Sequence, residues 1–381
     1  MTRRIAAYLA IFALLFASIS IFMQRQIFDV EPRANGVLLR RMPWYLARAD
    51  EFDLVFLGDS RTYCGVQPDW IDDALGTHSI NMAQFAHWLP TQIPQIEALL
   101  EAAPPHTLFV WSLGHKNFLT PDGVYRSFPI DLGTALLYLN WGYPLSLIAD
   151  NVAYFHPLGT LYQQLGDLRA QSQAFLQRSL FGARESATPD ALEAEVARLE
   201  AQYRADPRNR DVNVTVDEGR ITSVELYRDR GSYLRVVIDH AYFEKWKQRD
   251  LDNRGGALAT ESEAQEAFDA WLEGKLEPYL IESFRYALAR FRDQGARLVV
   301  NEISEARYTH RHPWIERRWQ RFMRDRIEPI VHEYGFDYVR TDWQSLSDDD
   351  FFDYNHLNTV GNRKYSAMLV EALRPYVAGK S

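Results

Sequence analysis

Short apolar runs alternate with segments of helical periodicity through much of this chain. The runs lie at residues 54–57, 78–81, 108–111, 298–301 and 336–339, and turn residues bound each of them. A long helix is expected at 314–334 and a closing helix at about 359–377. Strands alternating with helices are typical of βαβ units. The sequence therefore predicts an α/β protein, built as a three-layer α/β/α sandwich around a parallel sheet.

The third and fourth apolar runs are separated by far more residues than one helix requires. We therefore expect the core in two parts, 51–132 and 286–381, with an insertion at 133–285 between them. Within the insertion, Thr188-Pro189 begins a helix, and residues 212–216 and 221–226 flank a glycine-containing turn. The insertion is thus predicted to be a large subdomain of mixed α/β structure.

The N-terminal segment 5–23 contains no charged residue. As a helix it would span about 28 Å, close to the ~30 Å hydrocarbon core of a bilayer. Arg3 and Arg4 precede it, which favours a cytoplasmic N-terminus. We expect residues 1–23 to be a cytoplasmic tip and a transmembrane helix inserted in the lipid bilayer, and 24–50 a connector. The protein would be single-pass in the inner membrane, with its catalytic domain in the periplasm or outside the cell; a cleaved signal peptide is the alternative.

The charged and metal-ligating residues exclude several classes of function. The chain has 42 Lys and Arg against 51 Asp and Glu, a net charge of −9, with both signs scattered. Nucleic acid is not an expected partner, because phosphate binding needs clustered positive charge. The single cysteine, Cys64, excludes an internal disulfide and a multi-cysteine zinc site. His310 and His312 lack an obvious third ligand. We predict neither a metal nor a cofactor.

The first apolar run ends in Gly58-Asp59-Ser60-Arg61. A strand that feeds a tight turn and a helix presents Ser60 at the carboxyl edge of the sheet, where open α/β folds bind their ligands. The unpaired amide of Ser60 at the helix start can donate to an oxyanion. Alternatively, Asp59 or Ser60 only caps the helix. For Arg61, the sequence leaves two partners open, an anionic substrate or a neighbouring carboxylate.

A serine nucleophile needs a base, and the C-terminal part of the chain supplies one. Asp353 precedes His356 by three residues, just ahead of the closing helix. On a turn, this spacing lets the carboxylate accept a hydrogen bond from one ring nitrogen while the other faces the nucleophile. Asp350 is the alternative orienting acid, and a surface histidine that caps a turn is the alternative for His356.

The GDS sequence after the first strand and D-x-x-H-L-N-x-x-G near the C-terminus together resemble the SGNH/GDSL hydrolase superfamily. The resemblance covers about residues 51–132 and 286–377 and implies a triad of Ser60, His356 and Asp353. Family members build the oxyanion hole from three donors, which correspond here to the amides of Ser60 and Ala86 and the side chain of Asn117. Ala86 stands where glycine is usual, and Asn117 is displaced by one position.

The predicted anchor, the GDSR sequence and the long insertion are together similar to the accessory acyltransferases of cell-surface polymers, such as the alginate O-acetylation proteins and the D-alanyl transfer protein. The resemblance implies an extracytoplasmic O-acyltransferase, with acetyl as the expected group and an acyl-Ser60 intermediate. Its acceptor would be a cell-surface polysaccharide and its partner a membrane-bound O-acyltransferase. A membrane-anchored carbohydrate or lipid esterase and a catalytically silent polysaccharide-binding scaffold are the alternatives.

Overall fold

The structure is a computed structural model that describes residues 42, 45–83, 89–119, 189–217, 219–253 and most of 265–377. Within the last range it leaves out 267, 271, 274, 275, 277, 304, 306–312 and 354. The described part is a mixed α/β fold with a five-stranded parallel sheet and a separate three-stranded antiparallel sheet.

The strands, in chain order, are β1 (Leu54–Leu57), β2 (Ser79–Asn81), β3 (Leu108–Leu113), β4 (Asn209–Asp217), β5 (Arg220–Arg228), β6 (Tyr233–Val237), β7 (Arg297–Glu302) and β8 (Asp337–Arg340). The helices are α1 (Ser60–Gly65), α2 (Pro68–Leu75), α3 (Leu89–Ala102), α4 (Pro189–Arg204), α5 (His240–Asn253), α6 (Pro278–Asp293), α7 (Pro313–Phe322), α8 (Glu328–Glu333) and α9 (Thr359–Val377).

The parallel sheet has the strand order β2-β1-β3-β7-β8. The chain runs from β1 outward to β2 and then returns to the other side of β1, where β3 pairs with it. Open α/β sheets bind ligands at the carboxyl ends of the two strands where the order reverses. That position lies here between the ends of β1 and β3, at the paired residues Leu57 and Trp111.

The core of the parallel sheet consists of two clusters of buried apolar side chains. Val55 and Leu57 of β1 enter a cluster that also contains residues of α3, α6 and α8. Leu54 and Phe56, which alternate with them, enter a second cluster with residues of α2 and α9. All four residues are buried, which explains why β1 reads as a continuous apolar run rather than an alternating pattern.

The five predicted strands are confirmed, each with ends within two residues of the expected ones. The predicted hairpin at 212–216 and 221–226 lies within β4 and β5. The third strand of that sheet, β6, was not predicted. Residues 120–188 of the predicted insertion lie outside the described residues.

The long helix expected at 314–334 is interrupted. Helix α7 ends at Phe322, a π-helical segment follows at Met323–Ile327, and α8 begins at Glu328. Pro329 explains the break, because its ring has no N–H to donate and would clash with the carbonyl four residues earlier. The apolar stripe continues through the break, and both Met323 and Ile327 are buried.

The predicted inner-membrane localisation is corrected. No helix in the described ranges is both long enough and apolar enough to cross a bilayer. Helix α9 has 19 residues but carries charged side chains along its length, including Arg363, Lys364 and Glu371. The segment 5–23, on which the prediction was based, lies outside the described residues.

Helix α9 closes the fold, and its packing can be tested with Leu369, which is fully buried in the second cluster. We expect Leu369→Ala to lower the free energy of unfolding by about 2–5 kcal/mol, because it removes buried methyl groups and leaves a cavity. Leu46→Ala is the matched control, since Leu46 is 45% exposed, and should change stability by less than about 0.5 kcal/mol. Urea denaturation measures both values, and equal effects would contradict the described packing.

Candidate active site

The turn between β1 and α1 positions Ser60. Gly58 has a φ of 149°, a conformation that L-residues with side chains rarely adopt, and a Cβ there would lie 2.3 Å from Thr62 Oγ1. Asp59 is the N-cap of α1 and accepts a hydrogen bond from the Arg61 amide at 2.9 Å. Ser60 is therefore the first residue of α1, at the carboxyl end of β1. The sequence left open whether Asp59 or Ser60 caps the helix. Asp59 is the cap, so the Ser60 hydroxyl is not used for capping.

The loop before α9 positions His356. Asp353 Oδ1 accepts hydrogen bonds from the backbone amides of Asn355 and His356, both at 2.8 Å. The other oxygen of Asp353, Oδ2, lies 2.7 Å from His356 Nδ1. A short antiparallel bridge between Phe351 and Leu357 closes the loop. One carboxylate therefore fixes both the backbone of the loop and the orientation of the imidazole ring.

The two parts of the chain meet at a hydrogen bond between Ser60 and His356. Ser60 Oγ lies 2.8 Å from His356 Nε2. With Nδ1–H donating to Asp353, Nε2 is the ring nitrogen that accepts the hydrogen bond from the serine hydroxyl. Burial disfavours the charged form of Asp353. The charge of His356 and the hydrogen bonds from its ring and from two amides outweigh that effect, so the pKa of Asp353 lies below its usual range.

Asp350, the alternative orienting acid, has other partners. Its Oδ2 accepts hydrogen bonds from the Ser347 amide and from Lys364 Nζ, both at 2.8 Å. Its backbone carbonyl approaches Gly361 so closely that a Cβ on that glycine would lie 2.2 Å from the oxygen. Asp350 thus joins the loop to α9, whereas Asp353 contacts the imidazole.

The remaining residues of the D-x-x-H-L-N-x-x-G motif form the start of α9. Asn358 Oδ1 accepts hydrogen bonds from the amides of Val360 and Gly361 at 2.9 and 3.1 Å. Its Nδ2 donates to the Asp349 carbonyl. Asn358 is therefore the N-cap that fixes where α9 begins, and so where His356 stands relative to the helix.

Arg61 is buried beside the nucleophile, with only 4% of its side chain exposed. Its Nε donates to both carboxylate oxygens of Asp59 at 3.1 Å, and its Nη2 donates to Asn117 Oδ1 at 2.8 Å. Burial disfavours ionisation of Asp59, but the charge of Arg61 and its hydrogen bonds outweigh it, so the pKa of Asp59 is lowered. Among the described residues the partner of Arg61 is thus a neighbouring carboxylate, and its role in binding an anionic substrate stays a prediction.

Asn117 reaches the same cluster from the end of β3. A 3₁₀ turn at His115–Phe118 brings its Oδ1 within 2.8 Å of the Gly114 amide, and its Nδ2 donates to Asp59 Oδ2 at 3.3 Å. A Cβ on Gly114 would lie 2.5 Å from Arg61 Nη1, so glycine permits this close approach. Asn117 therefore lies beside the nucleophile turn despite its displaced position in the motif.

The structure describes two of the three oxyanion donors that the resemblance predicts. The Ser60 amide lies at the start of α1, where the helix itself supplies no acceptor. Asn117 has a second amide hydrogen besides the one that it donates to Asp59. Ala86 lies outside the described residues. The contribution of these donors to an oxyanion hole stays a prediction.

Two residues near the triad were not identified from the sequence. The ring of Phe352 stacks on the His356 ring with centroids 5.5 Å apart. The guanidinium carbon of Arg235 lies 4.3 Å from the centroid of the same Phe352 ring. Arg235 belongs to β6 and forms an ion pair with Glu225 of β5. The available signals were the aromatic residue just before Asp353 and a single arginine in the apolar alternation of β6.

The described residues contain no group of three or more His, Cys, Asp or Glu side chains arranged for a metal ion. His310 and His312 lie outside them. No protein-family model matches the chain, and no curated protein matches it significantly. The resemblance to the SGNH/GDSL superfamily therefore depends on the motif residues themselves.

The Asp59–Arg61 pair gives a prediction for pH-dependent stability. We expect Asp59→Asn to lower the free energy of unfolding by about 3 kcal/mol at pH 7, because it leaves a buried guanidinium without its carboxylate. The pKa of Asp59 is lower in the folded state, so its contribution is complete above the unfolded pKa of about 3.9 and is lost as the pH falls through the folded value. The difference between wild type and variant should narrow below about pH 4, as measured by urea denaturation.

Asp325→Asn is the matched control for this prediction. Asp325 also pairs with an adjacent arginine, Arg324, but both side chains are more than half exposed. Its substitution should affect stability far less than that of Asp59. A difference between wild type and Asp59→Asn that stays constant down to about pH 2 would contradict the stabilising role of the Asp59 charge.

Proposed function

We propose that this chain catalyses acyl transfer through a covalent acyl-Ser60 intermediate, with His356 as general base and Asp353 as the residue that orients it. The observation that carries this proposal is the continuous hydrogen-bonded series from Ser60 Oγ to His356 Nε2 at 2.8 Å and from Nδ1 to Asp353 Oδ2 at 2.7 Å. Nucleophile, base and orienting acid are the three parts that serine acyl transfer requires.

The geometry supports a two-step reaction. In the first step Ser60 Oγ attacks the carbonyl carbon of an ester donor, and His356 Nε2 takes the hydroxyl proton. The carbonyl oxygen becomes an oxyanion that accepts a hydrogen bond from the Ser60 amide. Collapse of this intermediate expels the donor alcohol, which takes the proton from His356. In the second step an acceptor hydroxyl gives its proton to His356 and attacks the acyl carbon. The bond from that carbon to Ser60 Oγ breaks, and Ser60 Oγ takes the proton back from His356.

We further propose that the acyl group is acetyl and that the acceptor is a hydroxyl of a polysaccharide. Two considerations support the acceptor: the motif resemblance to proteins that O-acetylate polymers, and the position of β6 against the triad, where it can form a wall for a large substrate. A membrane-bound O-acyltransferase is the proposed donor protein, on the resemblance alone. A three-layer α/β/α arrangement of the described sheet and helices is the architecture that we propose for the core.

Intact mass spectrometry tests the acyl-enzyme. After incubation with p-nitrophenyl acetate, we expect the wild-type chain to gain one acetyl group, because the activated ester acylates Ser60. Ser60→Ala should gain none, whereas Ser345→Ala, which removes an exposed serine that is not part of the triad, should react as wild type does. An adduct of equal yield on Ser60→Ala, or none on the wild type, would contradict catalysis and favour the silent scaffold.

The same reagent distinguishes transfer from hydrolysis. With a polysaccharide-derived oligosaccharide present, a transferase should form acetylated oligosaccharide in preference to free acetate. An esterase would release acetate at the same rate with or without the oligosaccharide, because water is then the acceptor.

A second prediction separates the two candidate acids. Asp353→Asn should lower kcat for p-nitrophenyl acetate by about 10⁴-fold, because the amide favours the wrong imidazole tautomer and does not stabilise the imidazolium. Asp350→Asn should mainly lower the melting temperature, because Asp350 is 1% exposed and pairs with Lys364. Its effect on kcat of the folded protein should be far smaller. The reverse ranking of the two variants in kcat would assign the orienting role to Asp350.

A further inference from the structure

A cleft of about 340 Å³ lies between α4, the small sheet and the start of α9. Its volume falls within the ~300–1,000 Å³ that is usual for small-ligand sites. It is separate from the triad, although Thr359 of its wall follows His356 by three residues. The side chains that give the cleft its chemical character are Trp70, Tyr203, Arg208, Asn209, Arg228 and Arg363.

The charge of the cleft favours an anion. Its lining includes three arginines and one acidic residue, Asp206, which pairs with Arg208. Arg228 pairs with Asp69 at 2.8 Å. Arg363 is exposed, and within the described part of the chain no carboxylate lies within ion-pair distance of it. A positive charge therefore remains in the cleft after these pairs are counted, although the whole chain carries −9.

Two residues of the cleft wall carry buried polar atoms without a hydrogen-bond partner among the described residues. Arg228, whose side chain is 4% exposed, has its Nε buried without a hydrogen-bond partner among the described residues. The Oδ1 atom of Asn209 is likewise buried without one. Unsatisfied buried groups are costly, so a partner is expected for each. Both atoms are shielded from solvent, so the exposed groups of the lining, rather than these two atoms, select the ligand.

The aromatic residues of the cleft narrow the ligand class further. Trp70 and Tyr203 are half-buried, and the guanidinium of Arg363 lies 5.5 Å from the centre of the Trp70 ring. A sugar ring has an apolar C–H face and a polar rim, which match an aromatic wall with hydrogen-bonding groups beside it. An inorganic anion has no apolar face to contact the two aromatic rings, and it needs no carboxylate such as Asp206 beside it. Planar guanidinium groups bind carboxylates in a bidentate manner.

We propose that this cleft binds an acidic saccharide, in which sugar rings contact Trp70 and Tyr203 and a carboxylate pairs with Arg363. The cleft extends the proposed function by supplying a place for the polysaccharide acceptor, and only that role rests on the proposed function. Binding itself does not depend on acyl chemistry.

Calorimetric titration of the full chain with tetragalacturonate tests the proposal, with the Ser60→Ala variant used to prevent any turnover. The fully methyl-esterified tetrasaccharide is the matched neutral probe. We expect tetragalacturonate to bind at least tenfold more tightly than its methyl ester, and its affinity to fall when salt is added. Equal affinities, or no heat of binding for the acid form up to millimolar concentration, would overturn the proposal.

Variants locate the binding site. Arg363→Gln should raise the dissociation constant for tetragalacturonate at least tenfold, and Arg208→Gln, which changes a second arginine of the lining, should also raise it. Arg374→Gln is the control on the same helix, because Arg374 is exposed and lies outside the cleft. Wild-type affinity in both cleft variants would overturn the assignment, with thermal melting used to verify that each is folded.

A third titration with inorganic phosphate distinguishes a saccharide site from a simple anion site. Phosphate should not displace tetragalacturonate at equal concentration; full displacement would overturn the saccharide assignment.

The saccharide-binding proposal and the acyl-transfer proposal can be rejected separately. Absence of binding together with an acetyl adduct on Ser60 would reject the cleft alone, and binding without an adduct on the wild type would reject the acyl-transfer proposal alone.

Discussion

The candidate active site depends on the two oxygens of one carboxylate. Oδ1 of Asp353 accepts from the amides of Asn355 and His356, and Oδ2 lies against the His356 ring. The spacing of the motif follows from this geometry, since a residue three positions later is the one whose amide and ring can both reach the same side chain. Asn358 then caps α9, so the base is fixed relative to a helix that packs on the sheet.

A second carboxylate, that of Asp59, fixes the position of Ser60. Asp59 caps α1 and holds Arg61, which in turn donates to Asn117. Because β1 and β3 are neighbours in the sheet, this network ties together the two strand ends between which the site lies. The charge of Arg61 is paired with Asp59 within the protein, beside Ser60. The position of Ser60 is thus set by the contacts of its two sequence neighbours.

Features confined to one short stretch of sequence could be predicted, whereas contacts between distant stretches could be predicted only for Ser60 and His356, which the motif resemblance joined. The apolar runs located the strands because parallel strands are buried on both faces, and the two motifs located Ser60 and His356. Pro329 marked a break that the regular apolar stripe concealed. Strand β6 is only five residues long, and its Arg235 has meaning only beside Phe352, which lies far along the chain. Tertiary contacts of this kind leave no local pattern.

The alternation of side chains along β6 joins the triad to the cleft. Arg235 contacts Phe352 of the loop that carries His356, whereas Leu234 and Val236, which point to the other face, line the cleft. A slip of one residue would exchange these faces, but the pairing with β5 fixes the register, with Leu226 opposite Leu234. Thr359 Oγ1 also donates to the Arg235 carbonyl at 3.1 Å. The inserted sheet is therefore a shared wall of both sites, and a change in its register would disturb the two together.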